Sequence, residues 1–233
     1  MSSSPKYWCV VPAAGIGARM KSHVPKQYLP LAGKTIFECT LARLLGFSKL
    51  EQVVVAVSAE DPYWPELEFS QHAKVVSVAG GAERSESVLK GLRSLESSAD
   101  AMDWVLVHDA ARPCIRLSDI EKLVDAVAES AVGGLLGFPV QDTIKRSDGE
   151  RVLETVDRAQ LWQAYTPQMF RFGLLLEALQ KAQQDAAVVT DEASAVEHFG
   201  QQPILVQGSK DNIKITHPED IGLAEIFLAR QAE

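Results

Sequence analysis

The chain has 233 residues, which suits one α/β domain and is slightly short for two independent domains. Hydrophobic residues make up 46% of the chain and charged residues 23%, the balance of an ordinary soluble globular protein. The formal net charge of -8 gives no overall attraction for nucleic acid or an anionic membrane, so we expect neither as a partner. If the protein binds phosphates, it must gather its basic residues locally.

The cysteines and the apolar runs indicate a cytoplasmic protein. Cys9, Cys39 and Cys114 are scattered, form no CxxC pair and show no spacing typical of zinc, so we expect reduced thiols. The first residues contain no apolar core of signal-peptide length, and no apolar run is long enough to span a bilayer.

Short apolar runs alternate with amphipathic stretches in the first half of the chain. The pattern predicts strands at 7–12, 52–57, 74–78 and 104–108, and helices at 35–46 and 84–95. This alternation is typical of βαβ units. We therefore expect an α/β fold, with residues 1–233 forming a single Rossmann-like domain around a mainly parallel twisted sheet.

Two later helix starts carry a capping box, in which side chains satisfy free backbone N–H groups. They are Ser118 with Glu121 and Thr216 with Glu219. Asp191 and Glu192 favour the start of another helix, which runs to Phe199 and is ended by Gly200.

One segment departs from the alternation of strand and helix. Residues 132–140 form a predicted strand, and β-prone runs at 143–146 and 152–155 then flank Ser147-Asp148-Gly149. Asp-Gly between two such runs is a hairpin signal. We expect residues of about 140–158 to form a protruding arm that joins two subunits in a homodimer. We interpret Lys145 and Arg146 as solvated residues of its edge.

The first strand leads directly into a loop of small residues. Such residues let backbone N–H groups approach a phosphate, and open α/β sheets bind ligands beyond the carboxyl ends of their strands. Arg19 and Lys26 bracket the loop with two positive charges, which suits a triphosphate. The alternative is an ordinary turn with a solvated basic segment. The nucleotide-binding residues predicted here are Pro12, Ala13, Ala14, Gly15 and Gly17.

This loop, with Pro25-Lys26-Gln27-Tyr28 and Gly33 after it, resembles nucleotidyltransferases that act on sugar phosphates. More closely, it is similar to the 2-C-methyl-D-erythritol 4-phosphate cytidylyltransferase family of the non-mevalonate isoprenoid pathway. The resemblance covers nearly the whole chain. It implies transfer of CMP from CTP to a small polyol phosphate, with release of pyrophosphate and a need for Mg²⁺ or another divalent cation.

Further blocks carry the same resemblance. Gly80, Gly81 and Ser87 are similar to the turn that binds base and ribose in the family, with helix capping by Ser85 as the alternative. Ala82 stands where family members often carry Asp, so only a backbone contact is expected there.

Asp109 ends the strand at 104–108, a position that suits a ligand of Mg²⁺, although a turn-forming Asp is the alternative. Arg112 resembles the family's contact to the polyol phosphate. We interpret His108 as a packed or hydrogen-bonded structural residue, because a phosphate nucleophile is already ionised and needs no general base.

The second half of the chain supplies the remaining predicted contacts. By resemblance, Thr143, Arg158 and Thr166 contact the polyol phosphate, and Arg158 does so across a dimer interface. Arg158 could also be a surface ion-pair residue. Lys214, predicted on a strand between Ile213 and Ile215, matches a lysine beside the α-phosphate, and an exposed strand lysine is the alternative.

These residues predict a mechanism without a covalent enzyme intermediate, with Arg19, Lys26, Arg158 and Lys214 as the catalytic groups. Three alternatives stay open. The chain could be a cytidylyltransferase of the same fold that uses another acceptor, such as ribitol 5-phosphate. It could be a regulator that binds a nucleotide without catalysis. It could also be a nicotinamide-dependent dehydrogenase, which is disfavoured because the third glycine of that fingerprint is missing.

Overall fold

The computed structural model describes residues 4–15 and 24–231, so the predicted site residues Gly17 and Arg19 lie outside the described residues. The strands of the central sheet are β1 (Tyr7–Pro12), β4 (Leu50–Val57), β5 (Val75–Ala79), β6 (Trp104–Val107), β7 (Gly133–Pro139), β10 (Trp162–Arg171) and β11 (Ile204–Gln207). Their order across the sheet is β11-β7-β10-β6-β1-β4-β5. Two small ribbons pair β2 (Pro30–Leu31) with β3 (Lys34–Thr35) and β8 (Ile144–Asp148) with β9 (Arg151–Val156).

All pairings within the central sheet are parallel except the two made by β10. The mainly parallel α/β fold predicted from the sequence is therefore confirmed. The helices of the described chain are α1 (Ile36–Leu45), α2 (Arg84–Arg93), α3 (Leu117–Val127), α4 (Phe172–Gln184), α5 (Glu192–His198) and α6 (Glu219–Gln231).

Helices cover both faces of the sheet, which is why its central strands are apolar on both sides. Side chains of α1 and α3, such as Leu41 and Leu123, pack with one set of strand residues. Those of α2, α4 and α5, such as Leu92 and Leu175, pack with the other set. A smaller apolar cluster joins α6 to Ile215. No helix in the described part of the chain is both long and apolar enough to cross a membrane.

The predicted helix start at Asp191 is confirmed, and the two predicted capping boxes are wrong. Asp191 caps α5, where its side chain accepts a hydrogen bond from the backbone of Ser194. Helix α3 begins at Leu117, so Ser118 already lies within its first turn and cannot cap it. At α6 the capping carboxylate is Asp220, which accepts from the backbone N–H groups of residues 216 and 217, rather than Glu219.

The sequence patterns also missed a central strand. Pro167 lies in the middle of β10, and an internal proline argues against a central strand because it lacks a donor. The structure accommodates it where the register between β10 and β7 shifts, between Ala164 and Gln168. Lys214 does not lie on a strand, contrary to prediction. It lies in an irregular segment after β11, with Ile215 buried and Lys214 exposed.

The β8–β9 hairpin is confirmed and is paired separately from the central sheet. Asp148 pairs with Arg151, so the turn consists of residues 149 and 150, and Gly149 has a φ of +58° that favours glycine. The arm exposes two large apolar side chains, Val152 at 62% and Leu153 at 61%.

Candidate active site

The register of the sheet brings the predicted phosphate loop and the predicted metal ligand to one edge. Val10 of β1 pairs with Val107 of β6, and both strands run in the same direction. The loop after Pro12 and Asp109 after β6 therefore leave the sheet side by side. The antiparallel pairing of Gln168 with Val107 carries Thr166 to the same edge from β10.

A cleft of about 280 Å³ opens at this edge, and we call it the loop cleft. It brings together most of the predicted nucleotide-binding residues with three predicted catalytic or acceptor residues. The predicted residues that line it are Pro12, Ala13, Ala14, Gly15, Lys26, Gly81, Ser87, Asp109 and Lys214.

The turn before α2 forms one wall of the loop cleft. A Cβ on Gly80 would lie 2.5 Å from the Cβ of Ala14, so glycine is needed where the two loops meet. Ser87 Oγ accepts from the N–H of Gly81 at 2.9 Å, and Glu86 accepts from the N–H of Ala82 at 2.8 Å. The alternative of capping by Ser85 is wrong, because Ser87 and Glu86 satisfy these groups.

Lys26 lies on the opposite wall, in a short turn that contacts two parts of the site. Its Nζ donates to the carbonyl of Ile215 at 3.0 Å, and the side chain of Gln27 donates to the carbonyl of Ala13 at 2.8 Å. The turn is thereby fixed to both the phosphate loop and the segment that carries Lys214.

Three cationic side chains converge on Asp109. Lys214 Nζ lies 2.9 Å, Arg84 Nε 3.0 Å and Arg112 Nε 3.4 Å from its carboxylate oxygens. Burial alone would raise the pKa of Asp109, but these cations outweigh it and hold that pKa well below its usual range. Asp109 is therefore an anion that organises positive charge at the edge of the sheet.

Arg84 links Asp109 to a second buried carboxylate, that of Glu192. Neither Arg84 nor Glu192 was predicted as a site residue from the sequence. Arg84 Nη1 and Nη2 lie 2.6 Å and 3.0 Å from the two carboxylate oxygens of Glu192, which is fully buried. Burial by itself would lower the pKa of Arg84, yet Glu192 and Asp109 raise it above its ordinary value. One signal was available, because an arginine in the first turn of a helix opposes the helix dipole and needs a partner.

A second cleft of about 190 Å³ lies on the other side of these cations, and we call it the threonine cleft. It is lined by Arg112, Thr166, Gln168 and Tyr165 among others. The guanidinium carbon of Arg112 lies 4.9 Å from the centroid of the Tyr165 ring, and its Nη1 donates to the carbonyl of Asn212 at 2.7 Å. Burial lowers the pKa of Arg112 below its ordinary value.

The two clefts share three residues: Arg84, Asp109 and Lys214. A ligand in each cleft would therefore meet the other at the same carboxylate and the same cations. This junction is the chemically distinctive feature of the molecule.

His108 is buried and hydrogen-bonded behind the junction. Its Nδ1 lies 3.1 Å from Thr166 Oγ1, and its Nε2 lies 3.1 Å from the carbonyl of Arg112. Burial lowers the pKa of His108 to about 4, so the imidazole is neutral at physiological pH.

Thr143 and Arg158 line neither cleft within the described chain. Both are exposed at the base of the arm, where Arg158 donates to the carbonyl of Gln141. The side chain of Lys210 also contacts Gln141, at 3.1 Å. One subunit by itself does not bring Thr143 and Arg158 to the junction.

The residues at the junction fit a cation that arrives with a nucleotide. Among the described residues, no three His, Cys, Asp or Glu side chains group into a metal site. Mg²⁺ is commonly held by one or two carboxylates together with substrate phosphates and water. Asp109, an ionised carboxylate facing both clefts, matches that donor set.

A glycine-lined cleft joined through clustered cations to a second polar cleft, at one edge of a mainly parallel sheet, is the arrangement expected of a nucleotidyltransferase. The sequence matches the family model described as 2-C-methyl-D-erythritol 4-phosphate cytidylyltransferase over residues 8–230. The chain belongs to this family.

Relatives and solved structures agree over nearly the full length. A 2-C-methyl-D-erythritol 4-phosphate cytidylyltransferase of Hahella chejuensis is 53% identical over 97% of this chain and 94% of its own. The crystal structure of the Francisella tularensis protein of the same name has a TM-score of 0.85 at 36% identity, covering 95% of this chain and 99% of its own. That of Thermus thermophilus has a TM-score of 0.77 at 33% identity, covering 95% and 98%.

Proposed function

We propose that this chain transfers CMP from CTP to 2-C-methyl-D-erythritol 4-phosphate. The products are 4-diphosphocytidyl-2-C-methyl-D-erythritol and pyrophosphate, a step of isoprenoid biosynthesis by the non-mevalonate route. The observation that carries the proposal is the junction at which the loop cleft and the threonine cleft share Arg84, Asp109 and Lys214. Family membership supplies the identity of the two substrates.

The reaction joins two anions, so the protein must hold them together against their repulsion. A phosphate oxygen of the acceptor attacks the α-phosphorus of CTP, a new P–O bond forms, and the bond to the departing pyrophosphate breaks. The nucleophile is already ionised, and we assign no general base to the reaction. The fixed cations of the junction supply electrostatic stabilisation of the transition state.

Several predicted residues have a place in this scheme. The backbone of Ala13 to Gly15 and the turn at Gly81 face the nucleotide in the loop cleft, and Lys26 faces its phosphates. Lys214 lies between the two clefts and contacts the reacting groups. Arg112 and Thr166 face the acceptor. We assign Arg19 to the triphosphate on the resemblance alone.

A divalent cation belongs to the proposal. Mg²⁺ bound by Asp109 and the triphosphate would neutralise charge on the phosphate oxygens. Arg84 contacts Oδ1 of Asp109, whereas Arg112 and Lys214 contact Oδ2. A carboxylate has about four lone-pair positions, so one position on Oδ1 is left for the cation.

We also propose that the chain functions as one nucleotidyltransferase domain, as a homodimer, in the cytoplasm. The exposed apolar residues Val152 and Leu153 on the arm support a subunit contact there. In that assembly, Thr143 and Arg158 of the partner subunit would complete the acceptor site.

Pyrophosphate release tests the proposal. The purified protein is incubated with each of the four ribonucleoside triphosphates, with and without Mg²⁺, and with methylerythritol phosphate, ribitol 5-phosphate or no acceptor. We expect release only with CTP, methylerythritol phosphate and the divalent cation. Release with ribitol 5-phosphate at equal or greater kcat/KM would reassign the acceptor, and no release with any pair would contradict catalysis.

A further inference from the structure

Both ring nitrogens of His108 have a hydrogen-bond partner within the protein, and the residue lines neither the loop cleft nor the threonine cleft. It is fully buried, and it links Thr166 of the threonine cleft to the backbone of Arg112. His108 has no part in the proposed reaction. The pattern of its hydrogen bonds nevertheless determines what Thr166 can recognise.

The direction of each hydrogen bond follows from chemistry. The carbonyl of Arg112 can only accept, so Nε2 of His108 carries the hydrogen. The partners of the two ring nitrogens are an uncharged carbonyl and an uncharged hydroxyl, so one hydrogen on Nε2 satisfies the ring. Nδ1 is then bare and accepts, which makes the Thr166 hydroxyl the donor. The same Thr166 oxygen accepts from the N–H of Asp109 at 3.0 Å.

Thr166 Oγ1 therefore has its hydrogen committed to His108 and one of its two lone pairs committed to Asp109. Only one lone pair is left, so the oxygen can accept a hydrogen bond and cannot donate one. An ionised phosphate oxygen is itself an acceptor and gains nothing from such a group. A hydroxyl of the substrate can donate to it.

We infer that His108 is a positioning residue that fixes Thr166 as an acceptor, so that the threonine cleft recognises a hydroxyl group of the polyol rather than its phosphate. This inference rests on the proposed function, because it assigns the polyol to the threonine cleft. It goes further in naming the group that is recognised and the residue that sets the direction of the bond.

The surroundings explain why such an acceptor matters for specificity. Arg84, Arg112 and Lys214 would attract any phosphate, so charge alone does not distinguish a polyol phosphate from inorganic phosphate. Gln168 also lines the cleft, but its amide donates to Asp191 at 2.8 Å and accepts from the N–H of Ala193 at 2.7 Å. An acceptor of fixed direction at Thr166 adds a contact to the hydroxyls of the polyol, which the cations do not recognise.

NMR of the imidazole nitrogens tests the direction without any substrate. The signals of His108, assigned with His108→Asn as the reference, should show a neutral ring protonated at Nε2. A ring protonated at Nδ1 would reverse the bond to Thr166 and overturn the inference.

Kinetics with analogues of methylerythritol phosphate, each lacking one hydroxyl, test the consequence. For the wild type, one analogue should raise the acceptor KM by about tenfold, because a buried acceptor is left unpaired. In the Thr166→Val and His108→Leu variants, the KM for unmodified methylerythritol phosphate should rise by a similar factor. The analogue that raises the KM of the wild type should not raise the KM of these variants further. The KM for CTP, which binds in the loop cleft, should change by less than about twofold.

His108→Asn is the matched control, because its amide oxygen can replace Nδ1 as the acceptor, and it should restore most of the acceptor affinity. If every analogue raised the acceptor KM by the same factor in the wild type and in the variants, His108 would be only structural. If His108→Leu fails to fold, Thr166→Val and the NMR measurement still decide. Failure of the proposed function is distinct, since the wild type would then release no pyrophosphate with any polyol phosphate.

Discussion

Lys214 Nζ lies 2.9 Å from Oδ2 of Asp109, and both side chains line the loop cleft and the threonine cleft. The carboxylate thus holds a lysine at the point where two bound anions would meet. Arg84 and Arg112 approach the same carboxylate from other directions. The arrangement accounts for how an acidic chain can still concentrate positive charge in one place.

Replacing Lys214 by alanine should lower kcat by about 100-fold or more, because a charge that acts mainly in the transition state is lost. Steady-state pyrophosphate release measures the effect. Lys210→Ala is the control, since Lys210 is an exposed lysine four residues away that contacts Gln141 instead. Equal rates for Lys214→Ala and Lys210→Ala would remove Lys214 from the mechanism.

Replacing Glu192 by glutamine should reduce the free energy of unfolding by about 3 kcal/mol, because Arg84 loses a buried partner on two of its nitrogens. Urea denaturation measures the change. The control is Glu154→Gln, which breaks the exposed pair with Arg146 and should cost less than about 1 kcal/mol. Similar losses in the two variants would show that the buried pair has no special weight.

The buried His108 predicts a loss of stability in mild acid. Its folded-state pKa of about 4 lies below the ordinary value of 6.5, so the unfolded chain binds the extra proton between these values. The stability is complete above about pH 6.5 and falls as pH decreases toward 4, by about 2 kcal/mol between pH 7 and pH 5.

Urea denaturation of the metal-free protein at several pH values checks this dependence. His108→Asn should lack that part of the decrease in stability. His217→Gln, which removes an exposed histidine, should retain it. A His108→Asn profile that runs parallel to that of the wild type would contradict a neutral, buried His108.

Mixing two inactive variants tests whether a partner subunit completes the site. Arg158→Ala and Lys214→Ala should each keep about 1% of the wild-type activity or less. A mixed dimer contains one site with an intact Lys214 and an intact Arg158 from the partner. After random reassociation we expect about a quarter of wild-type activity. No recovery, with mixed dimers verified by mass, would contradict the shared site.

Sequence patterns predicted the parts of the site that follow directly from strand ends. The glycine-lined loop after β1 and Asp109 after β6 depend on local order, and the structure places both at one edge of the sheet. The helix start at Asp191 and the Asp148-Gly149 hairpin are also local, and both are confirmed.

The missed features depend on contacts between distant parts of the chain. Arg84 and Glu192 are 108 residues apart, and nothing local to either residue identifies the other as its partner. Strand β10 was missed because Pro167 argues against a central strand, and only its pairing with both neighbours shows otherwise. The order of hydrogen bonds through His108 requires three segments to be placed together.

The most direct test of the central claim is a crystal structure with a non-hydrolysable CTP analogue, Mg²⁺ and methylerythritol phosphate. We predict the α-phosphate between the loop cleft and the threonine cleft, within contact distance of Lys214, with the acceptor phosphate on its other side. A triphosphate bound elsewhere, such as in the larger cavity of about 530 Å³ between α2 and α4, would contradict the account.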